Sequence, residues 1–400
     1  PSLTEAISER ELEMGIMGRL WALPKEKASG EPLLFCLMER LRERPASLSR
    51  FQRAFYEIRD ELTDPQIKAR DPFRSTVTSA TALEEYAKCA FKYYSNRVLQ
   101  LQDWEQDPNV FTRGTILHEV LQRCFSQWTE QPELYTDQNK ARQMALHELE
   151  EALKKYPLFT EKKYQYDLEY EDLRQTLERF LDHELERLQK SPLQPRYFEF
   201  DFGGEGSGHP PLELDRGGQK IVVRGKIDRI DVDEDHTTGL VLDYKRTAVF
   251  KKEDLELGIA LQLPIYSMAV KKILKLEPAG AELYSIKECK SNGFYHADAG
   301  ALLPSVSGRR MILKKEEYEA LLERSAEFIR KFSGQMQEAR ITVRPRYCDP
   351  FCPYVNVCRI EKWKLPLIQE EIKEEDRCHS GQAKREPESR KNLGFLLAQE

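Results

Sequence analysis

Apolar positions three and four apart run through LLFCLMERLRER and RFQRAFYEIRDEL, the spacing of one helix face. Residues 1–70 are therefore expected to be helical, as the end of a preceding helical domain or a brace, and they carry no recognisable site residue. A boundary is expected near Asp71–Pro72. Beyond it, Leu83, Tyr86, Ala87 and Ala90 form a helical stripe, and Thr81 with Glu84 three residues on fits a capping box. A second helix is predicted over about 113–128, with Leu117, Val120, Leu121 and Phe125 as its apolar face. Roughly 137–190 is charged and helical, the pattern of an insertion packed on one side and wet on the other.

At Tyr197 the period changes from 3.6 to two. YFEFDFG alternates as a half-buried strand does. After a loop rich in glycine and proline at 203–211 come strands in LELD, KIVVRGKIDRIDV and GLVLDYKRT, the last two joined as a hairpin by DEDHTTG. LGIALQLPIYSMAVKKIL reads as a helix bent or started late by Pro264, AELYSI as another strand, and KKEEYEALLERSAEFIRKFSGQMQEA as a long helix. The charge-dense stretch 366–400, with EEIKEED and AKREPESRK, is expected to be a disordered tail.

The 400 residues suffice for two or three domains, and 40% hydrophobic with 32% charged residues suits a soluble globular chain. No apolar run approaches the ~18 residues of a membrane span, and no signal peptide is visible. Eight cysteines without such a signal point to a reducing compartment, the cytoplasm. The first residue is Pro1, so the chain reads as a piece of something longer. A net charge of −6 weighs mildly against nucleic acid but does not exclude a local basic groove.

Chemistry enters through a few positions. In LVLDYKRT, Asp243 and Lys245 share one strand face with Val241, while Leu240, Leu242 and Tyr244 take the other. A lone D-x-K is more often a surface ion pair. Its neighbours change that balance: Asp228 on the preceding strand, His118 beside an apolar helix stripe, and Gln262 and Tyr266 on one helix face. Two aspartates, a histidine and a lysine suffice to hold a hard cation such as magnesium or manganese, activate water and offset charge on a phosphate. Cys89 precedes this region, and Cys348, Cys352 and Cys358 follow in RYCDPFCPYVNVCRIEKW. From spacing alone, zinc fits these thiols as the commoner structural metal. Cys36, Cys124 and Cys289 read as buried or incidental thiols and Cys378 as a tail residue.

The order G-x-x-x-H at Gly114 and His118, G-x-x-D at Asp228, D-x-K at Asp243 and Lys245, and Q-x-x-x-Y at Gln262 and Tyr266 resembles the RecB-type branch of the PD-(D/E)XK nucleases. One early and three late cysteines resemble the iron–sulfur staple of AddB-like helicase–nuclease subunits. The resemblance covers roughly residues 75–365 and implies an α/β core, a mixed sheet flanked by helices, within a nuclease domain at 71–365. It implies His118, Asp228, Asp243 and the Tyr244 carbonyl as ligands of magnesium or manganese. Lys245 would orient or activate the attacking water, Gln262 and Tyr266 would position DNA, and Cys89, Cys348, Cys352 and Cys358 would hold a 4Fe–4S cluster. DNA, as a single strand or unwound duplex end, and a helicase are the implied partners, and exonuclease work in double-strand break repair the implied biology. The chain departs from the family pattern at Ala90, where proline is usual after the first cysteine, and in the three residues between Cys348 and Cys352.

Other classes fare worse. HEVLQ has Gln122 where a zinc protease helix needs its second histidine, and there is neither a P-loop nor a G-x-S-x-G elbow. An inactivated nuclease scaffold binding DNA or a partner ranks second, since Asp243 and Lys245 are both present. A free-standing RecB-like nuclease suits the long extra segments poorly. Glu199 reads as part of a solvated strand face, with an approach to the site as the alternative, and His147, His183, His209, His236, His296 and His379 read as surface.

Overall fold

The computed structural model describes residues 75–101, 109–131, 137–247, 250–300, 302–303, 310–358, 360 and 362–379. The helices expected in 1–70 and the boundary at Asp71–Pro72 lie outside these residues.

The strands are β1 (Val77–Ser79), β2 (Gln194–Phe202), β3 (Leu212–Arg216), β4 (Gln219–Val232), β5 (Thr238–Lys245), β6 (Glu277–Ser285), β7 (Lys290–His296) and β8 (Arg310–Leu313). They form one mixed sheet in the order β1-β4-β5-β6-β7-β8, with β2 and β3 also on β4. The helices are α1 (Ala80–Lys88), α2 (Ala90–Tyr93), α3 (Asn109–Glu130), α4 (Gln138–Lys155), α5 (Lys163–Lys190), α6 (Lys252–Glu256), α7 (Gln262–Ala269), α8 (Lys315–Gln337), α9 (Val355–Cys358) and α10 (Leu365–His379). None among the described residues is long and apolar enough to cross a membrane.

Strand alternation divides the core. Leu240, Leu242, Tyr244, Tyr284 and Tyr295 face α3, α4 and α5, where Ile116, Leu117, Val120, Leu121, Phe125 and Trp128 supply the α3 stripe. Val241, Ala281 and Phe294 face the other way, onto α1, α7 and α8. The stretch 137–190 is thus one wall of the core, packed on its apolar side as its periodicity predicts.

Strand β4 is long enough to serve two sets of neighbours. Its first half pairs antiparallel with β3 and parallel with β1, and its second half pairs antiparallel with β2 and β5. On the side shared by β1 and β5, the register runs to Arg224 from one end and to Arg229 from the other. Gly225–Asp228 between them face an opening in the ladder. Gly225 is needed there, since a Cβ would stand 2.8 Å from the Phe202 ring and 3.2 Å from Tyr266.

Two expectations change and one alternative is selected. Ser79, not Thr81, caps α1, its hydroxyl accepting from Ala82 N–H, and Glu84 bonds elsewhere. The helix in LGIALQLPIYSMAVKKIL starts late, at Gln262, and is not bent at Pro264, which lies in its first turn where no helical N–H is lost. Residues 366–379 are no tail: they belong to α10, where Asp376 is buried against Arg346 and takes Lys331 at 2.7 Å. Strands β1, β7 and β8 add to the elements that periodicity predicts.

Candidate active site

The opening beside β4 is where the chemistry gathers. The β4–β5 hairpin register ends at the Arg229–Leu242 pair, and Asp228 and Asp243 are the next residue on each strand, so the antiparallel pairing sets two carboxylates side by side. Asp228 Oδ2 accepts from Tyr244 N–H at 2.6 Å. Helix α3 swings His118 over the same strand end, with Nε2 3.0 Å from the Tyr244 carbonyl oxygen and Nδ1 3.3 Å from Asp228 Oδ1. Lys245 Nζ lies 2.6 Å from Asp243 Oδ2. Gln262 on α7 donates to Asp243 Oδ1 at 2.8 Å and to the Tyr266 hydroxyl at 3.1 Å. His118, Asp228, Asp243, Tyr244, Lys245, Gln262 and Tyr266 therefore form one connected group.

Glu199 corrects the reading of a solvated strand face. It stands opposite Asp228, between the pairs Phe198–Arg229 and Phe200–Ile227. Its backbone is left-handed at φ 47°, a conformation costing a β-carbon-bearing residue about 1 kcal/mol. Ligating atoms of His118, Glu199 and Asp228 all lie within 4.8 Å of one another. Phe198 and Phe200 disguise this in the sequence, because strict alternation hides a residue that leaves the pleat. Lys226 pairs with the Glu199 carboxylate at the rim.

The electrostatics of the site suit a cation. Burial and the Asp228 charge push the Asp243 carboxyl up to about 7, against the pull of Lys245 and His118. Burial works against the charged forms of His118 and Lys245, but Asp228 and Asp243 outweigh it and hold both above their ordinary values. Asp243 Oδ2 is buried, with the Lys245 ammonium as its partner. Two adjoining carboxylates, an imidazole and a carbonyl oxygen make a donor set that fits a divalent cation.

Tyr244 also anchors the strand from behind. Its hydroxyl accepts from Arg229 Nη1 at 3.0 Å, and Arg229 belongs to a wholly buried network with Glu184, Arg187 and Asp231. His183, expected on the surface, joins it through the Tyr284 hydroxyl at 3.0 Å. Burial alone would raise Glu184, but Arg187 and Arg229 hold it down at about 2. A carboxylate depressed in the folded state stabilises fully above its unfolded pKa and loses that contribution as pH falls through the folded value. The melting temperature is expected to hold from neutral pH to about 5 and then to drop towards pH 2, with about 3 kcal/mol at stake from Glu184. Calorimetry of Glu184→Gln checks this: the variant should start lower at neutral pH and show a smaller acid decline.

Four cysteines gather at a second place in the fold. Cys89, Cys348, Cys352 and Cys358 line one cavity of about 440 Å³, between the end of α1 and the segment preceding α10. Tyr347 N–H donates to the Lys88 carbonyl at 3.2 Å, and Lys92 pairs with Asp349 at 3.0 Å, so the late segment is bonded to the early one. The longer Cys348–Cys352 spacer is taken up by a turn in which Asp349 accepts from Phe351 N–H at 3.0 Å and Cys352 N–H at 3.2 Å. Four thiols around one cavity, none in a disulfide, fit a thiolate-bound metal group. Cys124 and Cys289 are buried apart from it.

Residues 77–359 match the model of the PD-(D/E)XK nuclease superfamily. The chain belongs to this superfamily. Among curated relatives, an ATP-dependent helicase/deoxyribonuclease subunit of Thermoanaerobacter sp. is 23% identical over 78% of this chain and 33% of its own length. The corresponding helicase/deoxyribonuclease subunits from Symbiobacterium thermophilum and Clostridium kluyveri are 29% and 31% identical, over 48% and 54% of this chain and 17% and 20% of their own. This chain thus spans about a third of the length of the first relatives it matches.

Proposed function

We propose that this chain is the nuclease part of a helicase–deoxyribonuclease subunit and hydrolyses DNA phosphodiesters with a divalent cation. The convergence of Asp228, Asp243, His118 and Lys245 at the opening beside β4 carries this reading. His118, Asp228, Asp243 and the Tyr244 carbonyl would hold magnesium or manganese, with Glu199 close enough to join them. Such a cation lowers the pKa of water and offsets charge on the phosphate.

The residues then divide the work. Asp228 and His118 fix the Tyr244 peptide from its two sides, N–H and carbonyl. Lys245 stands over the carboxylate pair, where its ammonium orients the attacking water and stabilises charge on the phosphoryl oxygens. Gln262 fixes the Asp243 carboxylate and Tyr266 lines the opening, where the two would position DNA. The relatives' names support a helicase partner and a DNA substrate; exonucleolytic end processing at double-strand breaks in the cytoplasm is the biology that the family resemblance implies. Cys89, Cys348, Cys352 and Cys358 would hold a 4Fe–4S cluster, for which the single-plus-triple arrangement around one cavity is the support.

Lys245→Ala separates this reading from that of an inactive scaffold. Loss of one well-placed electrostatic group should slow cleavage by roughly two orders of magnitude while DNA affinity changes little. Single-turnover cleavage alongside a binding titration checks it. Equal, small losses in both would reduce Lys245 to a phosphate contact.

A further inference from the structure

Glu84 is the side chain whose sequence role and structural role differ most. Its spacing from Thr81 suits a cap for its own helix, yet it caps another. Glu84 Oε1 accepts from Leu261 N–H at 2.7 Å and from Gln262 N–H at 2.8 Å, the first amides of α7. These amides have no partner inside their helix, and the α7 N-cap residue, Leu261, offers no side-chain acceptor. A carboxylate on a helix N-terminus is favoured by both the hydrogen bonds and the dipole. The bond spans 177 residues of sequence, so it is a tertiary clamp and not a local cap.

What it clamps is the residue that touches the reacting centre. Gln262 carries one of the two bonds on its backbone and places its side-chain amide on Asp243 Oδ1. Tyr266 follows one turn later and closes on Gly225 beside the opening. At its other end, α1 runs directly into Cys89, and Glu84 itself lines the cysteine cavity. One rigid turn of helix therefore joins the thiol cluster to the α7 N-terminus.

We propose that Glu84 is a positioning residue for the nuclease site, holding α7 so that Gln262 fixes the Asp243 carboxylate, and that it ties this alignment to the cysteine clasp. This rests on the nuclease reading above. The chain acts as follows: the clasp sets α1, α1 sets Glu84, and Glu84 sets Gln262. Glu84 touches neither substrate nor cation; its charge reaches Lys245 and Tyr266 only at a distance, so its loss acts chiefly through geometry, where small displacements cost roughly ten- to a hundredfold in rate.

The experiment uses the full-length protein with Glu84→Ala, Glu84→Asp and Glu84→Gln. Glutamine keeps a carbonyl oxygen at the same reach and restores most of the rate. Aspartate keeps the charge but falls a methylene short and behaves as alanine does. In Glu84→Ala, kcat drops roughly ten- to a hundredfold while KM for DNA moves less than about threefold. Glu84→Ala combined with Gln262→Ala is no slower than Gln262→Ala alone, because both remove one device. Hydrogen exchange at the Leu261 and Gln262 amides supplies a readout free of activity: protection is lost in alanine and aspartate and kept in glutamine. Unchanged exchange, full multiplication of the two rate losses, or glutamine failing as alanine does would each overturn the proposal. A wild-type protein that cuts no DNA while exchange follows this pattern overturns the nuclease reading and leaves the clamp standing.

Discussion

Asp243→Ala is expected to lower DNA cleavage by roughly a thousandfold or more. A metal's Lewis-acid contribution is several kcal/mol, and about 4 kcal/mol corresponds to about three powers of ten in rate. Asp243 is the carboxylate on which the site converges, held by Gln262 on one oxygen and Lys245 on the other. Its removal should leave the fold intact. The carboxyl is buried beside Asp228 and pushed up to about 7, so deleting it relieves a repulsion, and Lys245, 40% exposed, can turn to solvent. Circular dichroism and a melting temperature within a few degrees of wild type, together with the rate, check this. A folded Asp243→Ala protein that cuts at the wild-type rate would sink the assignment.

Cys352→Ala should act at a distance. A cluster joining Cys89 to the three late cysteines closes a loop of more than 250 residues. Chain-entropy arguments make so long a closure worth several kcal/mol, although the strap is also held by Lys92–Asp349, by Tyr86 O–H donating to the Arg340 carbonyl at 2.6 Å, and by the buried Arg346–Asp376 pair. Losing the cluster therefore loosens the strap and does not release it. Anaerobically purified wild type is expected to be brown, with broad absorbance near ~400 nm. Cys352→Ala should lose the colour, melt at least about 5 °C lower and bind DNA more weakly. Cys124→Ala, in the other core, should keep both colour and DNA binding. A colourless native protein with stoichiometric zinc would refute the iron–sulfur assignment and spare the nuclease one.

Strand parity makes much of the site legible. Alternation alone puts Asp243 and Lys245 on one face, and a short hairpin turn brings Asp228 beside them, so pairing follows from local pattern. The helices of 109–190 are equally readable because their apolar stripes are long. What stays hidden depends on distant partners. Glu199 reaches the site through a left-handed backbone that interrupts its strand, and no periodicity signals such a kink. Glu84 satisfies a helix far along the chain, so its nearest motif misleads. Helix α10 is rich in charge and reads as disordered, yet Asp376 finds buried Arg346, a pairing that composition cannot show. Short β1 and β8 borrow their order from β4 and β7.

Cleavage of end-labelled linear DNA by the full-length protein, in magnesium and then in excess chelator, tests the central claim most directly. The account predicts shortening of the labelled strand in magnesium, its arrest by the chelator, and its return when magnesium or manganese is restored. Cleavage that continues unchanged in the chelator would contradict it.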